Sequence, residues 1–142
     1  MSTAVGQDRK RLGVRLLTPE GAVLDDVAYM VIAPSVEGEV GILPRHTPFI
    51  AFLRPGETRI KLLDDTELIF ATSEGYLSVE EDRVQVLVEQ AERADEIDRE
   101  RAQAALERAQ SALAEAGEDE VARGAAESAL RRAENRLRVA DR

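Results

Sequence analysis

Hydrophobic positions along the chain follow two different periods, and the change falls in the stretch 89–102, Glu-Gln-Ala-Glu-Arg-Ala-Asp-Glu-Ile-Asp-Arg-Glu-Arg-Ala. Before it, apolar and polar residues alternate in short runs such as Val84-Gln-Val-Leu-Val88, broken by glycine and proline. A two-residue period buries one face of a strand and leaves the other wet. After it there is no proline, and alanine recurs at three- and four-residue intervals to the end, as on a helix with one apolar stripe. The pattern predicts an α+β chain: a flexible polar lead over 1–11, an antiparallel β-sandwich over 12–90 and an antiparallel two-helix hairpin over 91–142.

In the β part, Val14 and Leu16 start a first strand, which Thr18-Pro-Glu-Gly21 turns back, since proline presets φ and glycine accepts a positive one. Runs at 22–24 and 27–33 follow, the second so nearly unbroken in apolar character that it predicts a strand covered on both faces. Further runs lie at 39–43, 49–53, 59–63, 67–72, 76–79 and 84–88, with Gly56, Asp64-Asp65 and Gly75 at the bends. Short, closely spaced strands of this kind make a sandwich or barrel of about 80 residues.

A first helix of about five or six turns is expected from residue 91 or 95, broken at Glu115-Ala-Gly-Glu-Asp119, with a second from about 119. Asp98, Ala102, Ala105, Ala109, Leu113 and Ala116 share one face of the first; Ala122, Ala126, Ala129, Ala133, Leu137 and Ala140 share one face of the second. The seam between them is mostly methyl groups. At about 25 cal/mol per Å² removed from water, each contributes far less than the roughly 1.5–3 kcal/mol of a buried Leu. Two helices so thinly joined are poised to close on each other, or to part and lay the same faces on another protein.

Charge and composition then narrow the function. With 19 basic against 28 acidic residues, a net charge of −9 and a pI near 4.7, the chain has the wrong sign for a nucleic-acid partner. The absence of cysteine removes disulfides, thiolate metal sites and thiol nucleophiles. The longest apolar run, 27–33, falls far short of the roughly 20 residues that span a bilayer, so membrane association is expected through a protein partner and not by insertion. The lead has basic residues with no apolar stretch behind them, so no signal peptide is expected. Aromatics at 4% without tryptophan do not equip a carbohydrate-active cleft.

The sole histidine, His46, stands between two prolines in Gly41-Ile-Leu-Pro-Arg-His-Thr-Pro48, a rigid turn that suits structure or partner contact better than catalysis. Pro44, Pro48 and Pro55 with Gly38, Gly41 and Gly56 serve either as ordinary turn residues or as a fixed loop displaying Glu39 and His46. In the helical part, Asp98 falls on the alanine stripe, with Arg101, Arg108, Arg132 and Arg136 along the seam edges. A carboxylate in an apolar stripe needs partners. One reading is a solvated edge with Asp98 paired to an arginine. The other is an anion pocket in which four forked guanidinium groups hold a polyphosphate and Asp98 accepts from a base or ribose. With no Walker-type loop, such a nucleotide would be sensed and not hydrolysed.

Three stretches carry a resemblance. Gly38-Glu-Val-Gly-Ile-Leu-Pro-Arg-His-Thr-Pro-Phe-Ile50 with Leu53-Arg-Pro-Gly56, Gly75-Tyr-Leu-Ser-Val-Glu80, and Ala91-Glu-Arg-Ala-Asp-Glu-Ile-Asp-Arg-Glu-Arg-Ala102 closely resemble the epsilon subunit of F-type ATP synthases. The resemblance covers about residues 12–140 and implies a non-catalytic stalk subunit at the cytoplasmic face of a bacterial cell membrane. It implies partners in the gamma subunit, in the membrane c-ring loops met by Glu39 and His46, and in the catalytic alpha/beta subunits met by the last helix through Arg123, Arg131 and Arg138. It requires no cofactor. ATP is implied as a regulatory ligand, with Ile97, Asp98, Arg101 and Ala102 meeting the family's Ile/Leu-Asp-x-x-Arg-Ala motif and Glu92, Arg108, Arg132 and Arg136 its other positions. A stand-alone nucleotide-sensing adaptor of the same build is the competing expectation.

Overall fold

The computed structural model describes residues 11–142, so the lead expected over 1–11 falls, except for Arg11, outside the described residues. The strands are β1 (Leu12–Thr18), β2 (Gly21–Ser35), β3 (Gly38–Ile42), β4 (Phe49–Leu53), β5 (Gly56–Leu62), β6 (Glu67–Thr72), β7 (Gly75–Glu80), β8 (Arg83–Val88) and β9 (Ala91–Arg93). A 3₁₀ turn (Ala94–Glu96) and two helices, α1 (Arg99–Ala116) and α2 (Glu120–Ala140), follow. The chain forms two compact units, divided between Ala91 and Glu92.

In the first unit the strand order is β1-β8-β7-β4-β2-β5-β6, with β3 on β2. β2 changes neighbour along its length: Gly21 to Ala28 pair with β1, whereas Ala28 to Ile32 pair with β5 and Val31 to Ser35 with β3. One strand shared in this way folds the sheet over itself and makes the sandwich. The runs expected at 22–24 and 27–33 are therefore one strand. Asp25, between those two runs, lies mid-strand opposite Arg15 and forms an ion pair with it at 3.4 Å. Only the last third of β2, Val31 to Ser35, is buried without a break; Val27 is exposed. A second difference is that β1 runs parallel to β8, with Val14 opposite Val84 and Leu16 opposite Val86.

Every second residue points inward, as the alternation requires: Leu12, Val14 and Leu16 from β1, Val84, Val86 and Val88 from β8, Leu77 and Val79 from β7. Phe70 and Ile60 fill the centre, beside the hydroxyls of Thr58 and Thr72, which hydrogen-bond to each other at 2.8 Å. Glu81 and Asp82 make the two-residue β7–β8 turn with φ of 49° and 60°, the primed geometry that matches strand twist. Asp82 does more than turn. Its carboxylate accepts the Arg45 backbone N–H at 2.6 Å and its carbonyl that of Gly13 at 2.9 Å, fixing the loop after β3.

In the second unit α1 begins at Arg99, later than either expected start, because residues 91–96 are taken up by β9 and the 3₁₀ turn. Asp98 is exposed and caps α1; it does not lie in the seam. Asp119 caps α2 by accepting the N–H groups of Val121 and Ala122, each at 3.1 Å. Gly117, at φ 56°, ends α1. The buried helix residues are Ala102 and Ala109 in α1 and Ala126, Ala133, Asn135 and Val139 in α2, and the four alanines form the seam. Ala105, Leu113, Ala116, Ala129, Leu137 and Ala140 are half-buried along it, and Ala122 is exposed. At the open end of the hairpin Arg99 forms an ion pair with Asp141.

Candidate functional site

The buried alanines fix which flank of the hairpin each arginine occupies. Across an antiparallel helix pair, residues one position before the seam emerge on the same side from both helices. Arg101 and Arg108 precede Ala102 and Ala109, Arg132 precedes Ala133, and Arg136, three positions beyond Ala133, shares their flank. The fold thus gathers these four guanidinium groups along one groove edge, Arg101 and Arg108 exposed, Arg132 and Arg136 half-buried.

Arg136 meets Glu92 in a forked pair, Nε donating to Oε1 at 2.8 Å and Nη2 to Oε2 at 3.3 Å. Glu92 is held for this by β9, and Ile97 lies half-buried just ahead of the cap. Asp98 Oδ1 accepts the Arg101 backbone N–H at 3.2 Å, so capping explains why a carboxylate stands here. Chemically the flank offers planar, forked cationic donors, the geometry that phosphate oxygens take. Among the described residues no group of His, Cys, Asp and Glu is placed to hold a metal ion.

The remaining basic residues of α2 do not form one patch. Arg123 Nη2 donates to the Gly117 carbonyl at 2.9 Å and closes the tip of the hairpin. Arg131 and Arg138 are exposed on the side of α2 away from the seam, with Arg131 Nη2 donating to Ser128 Oγ at 3.2 Å. In the sandwich, Glu39 forms an ion pair with Arg59 at 3.4 Å. His46 Nδ1 lies 2.7 Å from the Thr47 carbonyl, and its ring is 5.5 Å from that of Phe49.

One further surface stands out on the outer face of the sandwich. Leu17 pairs across strands with Leu87, Leu87 with Tyr76, and Tyr76 with Phe52, a row of four apolar side chains facing outward. Phe52 and Ile50 are each 69% exposed. A groove of about 350 Å³ lies against Leu17, Pro19, Tyr76 and Leu87, with Glu74 and Glu89 beside it. The sequence signal for this face is Phe49-Ile-Ala-Phe-Leu53, apolar at every position where a half-solvated strand alternates.

Residues 11–94 match the family described as ATP synthase, Delta/Epsilon chain, beta-sandwich domain, and residues 95–141 its long alpha-helix domain. The chain belongs to the ATP synthase delta/epsilon family. The ATP synthase epsilon chain of Desulfosudis oleivorans is 46% identical over 104 residues, 73% of this chain and 78% of that one. The epsilon chain of Brevibacillus brevis is 44% identical over 105 residues, 74% and 80% respectively. A chain from the Euglena gracilis mitochondrial ATP synthase, in a structure containing OSCP, F1 and the c-ring, superposes with a TM-score of 0.78 at 25% identity, covering 93% of this chain and 82% of that one. A chain from the central stalk and c-ring of the Tetrahymena thermophila enzyme shares the fold, with a TM-score of 0.58 at 17% identity over 93% and 98%. Within this family the chain is a structural and regulatory subunit, not itself catalytic. Among the described residues no helix is long and apolar enough to cross a membrane.

Proposed function

We propose that the chain is a rotor subunit in the central stalk of a proton-translocating F-type ATP synthase, and that its hairpin answers to ATP. The observation that carries the regulatory part is the placement of Arg101, Arg108, Arg132 and Arg136 on one flank of a hairpin seamed by alanine. ATP bridging arginines of both helices favours the closed hairpin; at low ATP the helices part, and Arg131 and Arg138 on α2 engage acidic surface of the catalytic alpha/beta subunits, opposing hydrolytic rotation. Ligand at 100 times its dissociation constant adds about 2.7 kcal/mol to the state it binds, enough to move a hairpin whose states are nearly balanced.

The sandwich supplies the fixed attachments in this reading. The apolar row from Leu17 to Phe52 suits the gamma subunit, since a contiguous exposed apolar patch marks an interface. The loop held by Asp82 with His46, and Glu39 in β3, suit the c-ring loops, and in this reading the protein sits peripherally at the cytoplasmic face of a bacterial cell membrane. Reconstitution with a gamma-containing catalytic complex tests both parts. The protein is expected to co-purify with the complex, and removal of residues 99–142 to raise ATP hydrolysis without loss of association. Failure to co-purify would overturn the stalk assignment, and unchanged hydrolysis the regulatory one.

A further inference from the structure

We infer that Glu92 is a built-in competitor for the arginine flank, an internal anion held on Arg136 that a polyphosphate taking the same guanidinium edge displaces. This rests on the nucleotide-responsive reading above and goes beyond it by making Glu92 a rival of the ligand for Arg136. Glu92 takes both donors of one edge of the Arg136 guanidinium, Nε at 2.8 Å and Nη2 at 3.3 Å, across 44 residues of sequence. The pair is partly sheltered, with the side chains 23% and 34% exposed, so it is stronger than the surface pairs Arg93–Asp95 and Arg15–Asp25. A phosphate oxygen pair approaching by that edge takes the same two donors in the same plane. Binding is therefore an exchange of one anion for another at Arg136, which avoids leaving a half-buried guanidinium bare but subtracts the Glu92 pair from the affinity.

The exchange also has a mechanical side. Glu92 stands in β9, seven residues before α1, and its grip on Arg136 ties the chain entering the hairpin to the last third of α2. Displacing it releases that tie at the moment the ligand forms its own bridge between helices. The hairpin then exchanges an internal clasp for an external one, and the threshold for ligand is set by how firmly the clasp holds.

The two roles open to Glu92 predict opposite signs for one variant. A ligand contact to the base predicts weaker ATP binding in Glu92→Gln; a competitor predicts tighter binding of a polyphosphate that has no base. Calorimetric titration of the full chain with inorganic tripolyphosphate, with ATP in parallel, separates them. Glu92→Gln is expected to bind tripolyphosphate roughly three- to tenfold more tightly than the wild type, since charge-assisted pairs of this kind are worth that much in affinity. Arg136→Gln is expected to bind it more weakly, and Glu92→Gln/Arg136→Gln to show no gain over Arg136→Gln alone. Circular dichroism of each variant checks that the helices remain. Wild-type binding with no gain in Glu92→Gln would overturn the competitor role alone. No binding of either ligand by wild type or Glu92→Gln would overturn the nucleotide reading and the competitor with it.

Discussion

Asp98 accepts the backbone N–H of Arg101 at 3.2 Å, so two residues of the candidate nucleotide motif are engaged with each other. The motif thus starts a helix and points an arginine from its first turn. Capping and ligand contact are separable by substitution. Asp98→Ala is expected to cost about 1 kcal/mol of hairpin stability and Asp98→Ser only a few tenths, because serine also caps. Both are expected to weaken ATP binding, since both lose the carboxylate. Thermal melts followed at the helical dichroism band, with ATP titrations alongside, give the two readouts.

The alanine seam sets how easily the helices part. Ala133→Leu forces a larger side chain between α1 and α2, an overpacking expected to cost about 1–3 kcal/mol and to favour the open hairpin. Because the chain has no cysteine, spin labels on cysteines introduced at exposed Gln110 and exposed Arg131 report on the hairpin alone. The interlabel distance is expected to lengthen in Ala133→Leu and to shorten again when ATP is added.

Gly75 marks the closest backbone approach in the sandwich. A Cβ there would lie 1.9 Å from the Leu87 carbonyl oxygen, whereas one at Gly13 would meet nothing within 4 Å. Gly75→Ala is expected to destabilise the sandwich by more than about 3 kcal/mol and Gly13→Ala by less than about 1 kcal/mol, read from denaturant midpoints.

The β5–β6 turn carries a pH dependence of known sign. Asp64 is held below its ordinary pKa, first by the hydrogen bond from the Thr66 backbone N–H, at 3.0 Å, and then by the Thr66 hydroxyl. A lowered carboxylate pKa in the folded state stabilises the fold above the ordinary value, and that contribution is lost as pH falls through the lowered one. Asp64→Asn is expected to flatten the loss of stability between neutral and acid pH, and an NMR titration of the Asp64 carboxyl is expected to show the lowered midpoint directly.

Much of this molecule is legible in its sequence, and the exceptions have physical causes. The strand runs after Gly38 and the two helical stripes follow from side-chain periodicity, which is local. The continuity of β2 through Asp25-Asp26 depends on Arg15 in another strand, and the parallel pairing of β1 with β8 joins distant segments. Neither leaves a local mark. Asp98 falls at the right interval for the seam and is instead its cap, because the chain is still extended before it. The arginine flank is readable once the buried alanines are known, whereas the apolar row from Leu17 to Phe52 draws on four strands and becomes visible only in their register.

The central claim is that the arginine flank binds ATP, and calorimetric titration of ATP into the intact chain tests it most directly, with ADP and an Arg132→Ala/Arg136→Ala variant alongside. The account predicts saturable binding that is abolished in the variant while the sandwich stays folded. Binding that survives loss of both arginines, or no binding up to millimolar ATP, would contradict it and leave a stalk subunit whose hairpin answers to its protein partners alone.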